Sequence, residues 1–173
     1  MKNNIVLCGF MGCGKSTVGK HLAEKLGLKF CDSDTVIEER KSMTISQLFT
    51  QEGEEYFRTL ETDVIRELSS KSRLVIATGG GAVLNLENAE MLRNSGVVVF
   101  LDISPETVLK RLENDKTRPL LMRDDKESAV RQLIEVRRPF YTAAAHITVD
   151  AEDSPETTAQ KIIELCVKSS AES

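Results

Sequence analysis

The stretch IVLCGFMGCGKSTVG, residues 5–19, constrains this chain more than any other. Its apolar start, residues 5–8, reads as a buried parallel strand. Gly9, Gly14, Lys15 and Ser16 then complete the spacing G-x-x-x-x-G-K-S. Glycines there let the backbone curl so that successive N–H groups converge on phosphate oxygens, and the Lys15 ammonium reaches the outer phosphates. The Ser16 hydroxyl can ligate Mg²⁺, and the helix it opens points the positive end of its dipole at the same anion. Val18, Leu22 and Leu26 recur every four residues, giving that helix an apolar face, and Gly27 suits the left-handed residue that ends it. Strand, loop and helix all surround the motif, so the chain should be an α/β protein that binds phosphate beyond a strand's carboxyl end.

A length of 173 residues suffices for one domain with a real core. The net charge of −4 leaves no basic excess to neutralise a nucleic-acid backbone. Local basic residues are therefore site chemistry or solvated faces. No apolar run is long enough to cross a bilayer, and Gly9, Gly12 and Gly14 interrupt the start as no signal peptide would allow. Cys8, Cys13, Cys31 and Cys166 form no C-x-x-C pair. Reduced, structural thiols in a cytoplasmic protein without a zinc site are expected. Cys13 has two open orientations: a reactive thiolate at the mouth of the anion site, or a small hydrophobe packed behind the loop.

Further along, residues 28–31 read as a second strand, followed by Asp32-Ser33-Asp34. In an extended backbone these two acids point to different targets, one to a Mg²⁺–phosphate cluster and one to an acceptor hydroxyl, while Asp32 or Ser33 can also cap the helix over 35–40. Thr44 to Gln47 has the pattern of a capping box. Gly53 breaks that short helix, and a longer one follows with Phe57, Leu60, Val64 and Leu68 on one face. Arg58 and Glu61 lie on it one turn apart. These helices look like a small lobe inserted between the second and third strands. The third strand, 73–77, leads into Thr78-Gly79-Gly80-Gly81, where three glycines imply close approach to the backbone or a turn through positive φ. A helix over 87–94 and a strand over 97–101 come next, then a Ser104-Pro105 helix start. The charged, helix-broken segment 114–126 around Arg118 is a lid or a surface loop. A helix over 128–141, a weak strand over 146–149 and a last helix opened by Ser154-Pro155 complete the chain, with a frayed tail beyond Lys168. His21 and His146 have no acid or nucleophile nearby in sequence and read as non-catalytic.

The order of these motifs, GFMGCGKSTVGKHLA, DSD, GEEYFRTLE, TGGG, TRPLL and RRPFY, resembles the shikimate kinase family over nearly the whole chain. The resemblance implies a P-loop three-layer α/β/α fold with a five-stranded parallel sheet in the order 2-3-1-4-5. It implies a core of about 1–32, 72–112 and 127–173, a substrate lobe of about 33–61 and a lid of about 113–126. The implied reaction is MgATP-dependent phosphorylation of the 3-hydroxyl of shikimate by a monomer. Carried onto this chain, the resemblance assigns the phosphates to Gly12, Cys13, Gly14, Lys15, Ser16, Thr17, Val18 and Gly19. Ser16 and Asp32 would lie on the metal side, and Asp34 would hydrogen-bond the acceptor hydroxyl. Arg58 and Arg137 would grip the carboxylate, beside Gly79, Gly80, Gly81, Phe49, Phe57 and Glu61. Arg118 would come from the lid, while Arg111, Asp153 and Pro155 would lie near the adenine. Lys15, Asp34 and Arg118 would form the catalytic set. One departure is local: Arg40-Lys41-Ser42-Met43 stands where relatives commonly place a glycine. The competing readings are another small-molecule kinase of this fold, acting on gluconate or a nucleotide, and a nucleotide-binding module without catalysis.

Overall fold

The computed structural model describes residues 3–171. Its single sheet contains β1 (Asn4–Cys8), β2 (Lys29–Asp32), β3 (Leu74–Ala77), β4 (Gly96–Asp102) and β5 (Ile147–Asp150). The strand order is β2-β3-β1-β4-β5, as expected, and every neighbouring pair is parallel. All residues of β1 and β3 are buried. Successive strand side chains point to opposite faces, so both faces of the sheet centre are covered, which is why these strands are apolar apart from Asn4, whose side chain is hydrogen-bonded to Lys71 O and Leu74 N.

Eight α-helices supply that cover among the described residues: α1 (Lys15–Leu26), α2 (Ser33–Lys41), α3 (Ile45–Glu52), α4 (Glu54–Ser70), α5 (Leu86–Ser95), α6 (Pro105–Arg111), α7 (Lys126–Ala144) and α8 (Pro155–Ala171). None of them is long and apolar enough to cross a membrane. Local chemistry explains their starts. Asp32 accepts the amides of Asp34 and Thr35 at the head of α2, and Thr44 and Gln47 complete a reciprocal capping box on α3. Asn85 and Ser104 cap α5 and α6 in the same manner.

Strand order positions the site. Asp32 lies opposite Ala77, and Ala77 opposite Leu7, so β2, β3 and β1 end almost level. The glycine-rich loop, the triple-glycine segment and the two aspartates therefore emerge side by side from one edge of the sheet. Gly19 lets α1 approach closely, because a Cβ there would lie 2.5 Å from the Phe30 ring. Helices α2, α3 and α4 fill the long connection between β2 and β3, and α4, 17 residues long, runs unbroken through position 61 to Ser70. The segment after α6 contains a short 3-10 turn, Pro119–Met122, with Leu121 buried beneath it.

Several boundaries differ from the sequence expectation. Helix α2 starts two residues earlier, at Ser33, because Asp32 itself is the cap. Helix α7 is longer at both ends than 128–141. The tail beyond Lys168 is not frayed over its first three residues: with no Gly or Pro to stop it, α8 continues to Ala171. Residues 172–173 lie outside the described residues.

The missing glycine after α2 has a direct backbone consequence. Ser42 ends the helix in the left-handed region, at φ 50 and ψ 38. A Cβ is disfavoured there, whereas glycine adopts this conformation freely. Ser42→Gly should raise the unfolding free energy by about 0.5–1 kcal/mol, the relief of strain exceeding the larger chain entropy of glycine. Urea unfolding checks this, and a midpoint equal to or below that of the parent chain would refute it.

Candidate active site

Between β1 and α1 the backbone turns through positive φ at Gly12 (76°) and Gly14 (94°). Gly14 is the N-cap of α1 and offers no side chain to its first amides. Those N–H groups stay available to an anion, with the helix dipole behind them. Lys15 folds back over the loop, its Nζ donating to Gly9 O at 2.7 Å and Phe10 O at 3.0 Å. Arg111 braces the loop from α6, donating to Gly12 O at 3.3 Å and to Ala151 O, past the end of β5, at 3.2 Å.

The two open orientations of Cys13 resolve to the packed one. Cys13 is 1% exposed, and its Sγ lies 2.9 Å from where a Gly9 Cβ would stand. The thiol sits behind the loop and takes a weak hydrogen bond from Lys15 at 3.6 Å. Val18 and Gly19 are also buried, facing the core and the Phe30 ring. Their side-chain positions point away from the anion site, because the face of α1 that meets the sheet is opposite the face that meets solvent. Gly12, Gly14, Lys15, Ser16 and Thr17 line the cavity of about 230 Å³ at the loop.

The two acids of D-x-D have different partners, although the backbone is not extended through them: Asp32 ends β2 and caps α2, whose first turn already contains Asp34. Asp32 receives the Ser16 hydroxyl at 2.7 Å with Oδ2 while its Oδ1 caps α2. Capping and site chemistry coexist on one side chain. Asp34 lines the same cavity, and its Oδ1 is buried without a partner. Burial, with the charges of Asp32 and Glu61 beside it, pushes its pKa up to about 6 against the pull of Lys15 and Arg118.

None of the three glycines takes a left-handed φ; at Gly79 and Gly81 side chains of the protein approach closely, while Gly80 has only ordinary contacts. A Cβ on Gly79 would lie 2.7 Å from Asp34 Oδ1 and 2.9 Å from Glu61 Oε2, and one on Gly81 would lie 2.7 Å from Arg58 Nη2. The segment is anchored by Gly79 N donating to Ser33 Oγ at 3.0 Å and by the Thr78 hydroxyl donating to Leu7 O. Glu61 is 1% exposed and pairs with Arg58 at 2.8 Å. Burial raises its pKa, and the Arg58 and Arg137 charges oppose that rise. Arg58 stacks over Phe57, 5.2 Å from the ring centroid, and Phe57 meets Phe49 at 4.8 Å. Arg137 faces Phe10 at 5.9 Å, with a buried Nε that has no partner. The structure thus brings Asp34, Glu61, Arg58 and Arg137 around one loop, although three separate stretches of chain carry them.

Arg118 lines the cavity from the segment after α6 and is half-exposed, 3.4 Å from Asp115. Asp153 is exposed and paired with Lys161, while Pro155 opens α8 beyond the Ser154 cap. Sequence reasoning missed Met11, Thr78 and Tyr141. The first two line the cavity. Tyr141 donates to Gly80 O at 2.6 Å, and its only sequence signal is its place in RRPFY, one turn after Arg137.

The profile of the family described as Shikimate kinase matches residues 11–167. A shikimate kinase of Acinetobacter baumannii (strain AYE) is 47% identical over 163 residues, covering 94% of this chain and 91% of that protein. The solved structure of shikimate kinase from Acinetobacter baumannii in complex with shikimate superposes with a TM-score of 0.93 at 45% identity, covering 98% of this chain and 95% of the other. A gluconokinase from Sinorhizobium meliloti superposes with a TM-score of 0.59 at 18% identity, covering 92% and 88% of the two chains, a likeness of fold alone. With its phosphate loop, acids and arginines gathered at one sheet edge, and with this match along almost its full length, the chain belongs to the shikimate kinase family.

Proposed function

We propose that this chain transfers the γ-phosphoryl group of ATP to the 3-hydroxyl of shikimate, giving shikimate 3-phosphate. One observation carries the reading. A carboxylate oxygen of Asp34 lies buried and without a donor, between the phosphate loop on one side and the Arg58–Glu61–Arg137 cluster on the other. An orphaned acceptor in that position suits a hydroxyl donor between a phosphate and an anion-binding arginine pair. Shikimate has a carboxylate at one end of its ring and hydroxyls at the other. Arginine forks match the carboxylate, and the Phe57 and Phe49 rings offer an apolar wall.

The proposed roles follow from this chemistry. The amides of the loop and first turn of α1, with Lys15, bind the phosphates and neutralise charge on them. Asp34 aligns the acceptor hydroxyl and accepts its proton. Residues 113–126 form the lid that holds Arg118 over the transferred group, and 33–61 form the lobe that holds the ring. The donor set suits Mg²⁺, a hard cation that takes one or two protein oxygens and keeps waters and phosphates as its other ligands. The Ser16 hydroxyl gives its proton to Asp32, so its lone pairs remain for a cation. When bound, Mg²⁺ would polarise the phosphate oxygens and offset their charge. A monomer is part of this reading, as the resemblance implies, and the need for ATP supports a cytoplasmic enzyme.

Separate roles for Asp34 and Arg58 give separate kinetic signatures. Asp34→Asn should lower kcat by at least about a hundredfold with shikimate still bound, since aligning the nucleophile matters in the transition state. Arg58→Ala should chiefly raise KM for shikimate. Steady-state ADP release with shikimate, gluconate and nucleoside monophosphates tests both the reading and its rivals; near-normal kcat in Asp34→Asn would refute the role of Asp34.

The same aspartate should destabilise the ligand-free, metal-free protein. Its folded pKa, about 6, lies above the reference 3.8, so the folded state binds more protons between those values and stability falls as pH rises through them. At pH 7.5 in EDTA, Asp34→Asn should therefore raise the unfolding free energy by about 1–2 kcal/mol. The advantage should shrink as pH falls below about 6. A variant less stable than the parent at pH 7.5 would contradict the electrostatic argument.

Lid closure is tested by proteolysis. Trypsin should cut the free protein first after Lys116 or Arg123, the bond before Pro119 being resistant, and MgATP with shikimate should protect both sites. Unchanged cleavage rates would remove the lid.

A further inference from the structure

Tyr141 is the fully buried aromatic residue that the proposed reaction leaves without a role. Its ring is 1% exposed and packs on Phe100 of β4 at 5.2 Å. A phenylalanine would fill that space equally well, so the hydroxyl requires its own explanation. A buried phenol needs a partner, and Tyr141 Oη finds Gly80 O at 2.6 Å, across 61 residues of sequence.

The neighbouring carbonyls show what this bond does. Gly79 O accepts from Ala82 N at 3.1 Å and Gly81 O from Leu84 N at 3.2 Å, both within the 3-10 turn that follows. The Gly80 carbonyl points instead toward α7 and receives Tyr141. Turning that one peptide would leave both a phenol and a carbonyl buried without partners. Arg137 stands one turn earlier on the same face of α7. Its Nη1 lies 3.6 Å from where a Gly80 Cβ would stand, and its charge acts on the Tyr141 hydroxyl. The hydroxyl thus holds the loop peptide, and the guanidinium group lies against that same peptide.

We propose that Tyr141 is a positioning residue for the acceptor substrate, its hydroxyl fixing the Gly80 peptide against which the Arg137 guanidinium lies. This inference rests on the proposed shikimate kinase reading, in which Arg137 and Gly80 hold the substrate. Tyr141 touches neither substrate nor nucleotide in that arrangement. Its effect falls on the acceptor side because Lys15 and Ser16 are held by other bonds.

The test compares the intact chain with Tyr141→Phe and Phe100→Leu. Loss of one buried hydrogen bond should raise KM for shikimate about tenfold in Tyr141→Phe. Its kcat should change by less than about threefold, and its affinity for MgADP, measured by calorimetry, should equal that of the parent. Phe100→Leu disturbs the packing of the same ring and keeps the hydroxyl, so it should lower the melting temperature without a shikimate-specific rise in KM. An unchanged KM in Tyr141→Phe, a parallel loss of shikimate and MgADP binding, or the same KM rise in Phe100→Leu would overturn the positioning role. A parent chain that binds MgADP but does not phosphorylate shikimate would overturn the underlying reading as well.

Discussion

Asp34 Oδ1 and Glu61 Oε2 converge over Gly79 with no donor between them. Two carboxyl groups with raised pKa values in such a place would be expelled from an ordinary core. They stay because the rest of the site is arranged around their charge. Arg58 pairs with Glu61, Arg137 acts on Glu61 at longer range, and Lys15 and Arg118 act on Asp34. The glycines complete the constraint: a side chain at 79 would collide with both acids, and one at 81 with the arginine. The level ends of β1, β2 and β3 set this geometry, and buried strands change shape little. A well-packed sheet therefore holds together charges that repel, which is the arrangement expected where stability is given up for a prepared site.

What was legible in the sequence depended on neighbours in the chain. The phosphate loop, the capping box, the strand–helix alternation and the double role of Asp32 all follow from spacings of a few residues. Strand order and the gathering of motifs came through resemblance, since pairing of β1 with β3 and β4 is a long-range choice that no local pattern encodes. Where the reading failed or stopped short, the deciding partner was distant. Cys13 is packed away because Gly9 leaves room behind the loop. Gly19 leaves room for the Phe30 ring. The triple glycine accommodates side chains from α2 and α4. Arg111 reaches Gly12 across 99 positions, and no periodicity would connect them.

In the proposed reading the site has a nucleotide end and a substrate end, and the cations assigned to the two are restrained differently. At the nucleotide end Lys15 is held by two backbone carbonyls, Arg111 by two more, and Arg118 only loosely by Asp115. At the substrate end Arg58 is held by carboxylates, one of them buried. Hydrogen bonds between ionised partners are about twice as strong as those with a neutral acceptor. A polyphosphate entering the loop therefore competes against weak acceptors and can draw Lys15 outward, whereas a single carboxylate arriving at the lobe meets an arginine already fixed in orientation. Transferring a phosphoryl group asks for mobile neutralisation around the phosphates and a fixed grip on the acceptor. Neutral carbonyls under Lys15 and Arg111 and carboxylates under Arg58 provide that division within a single sheet edge.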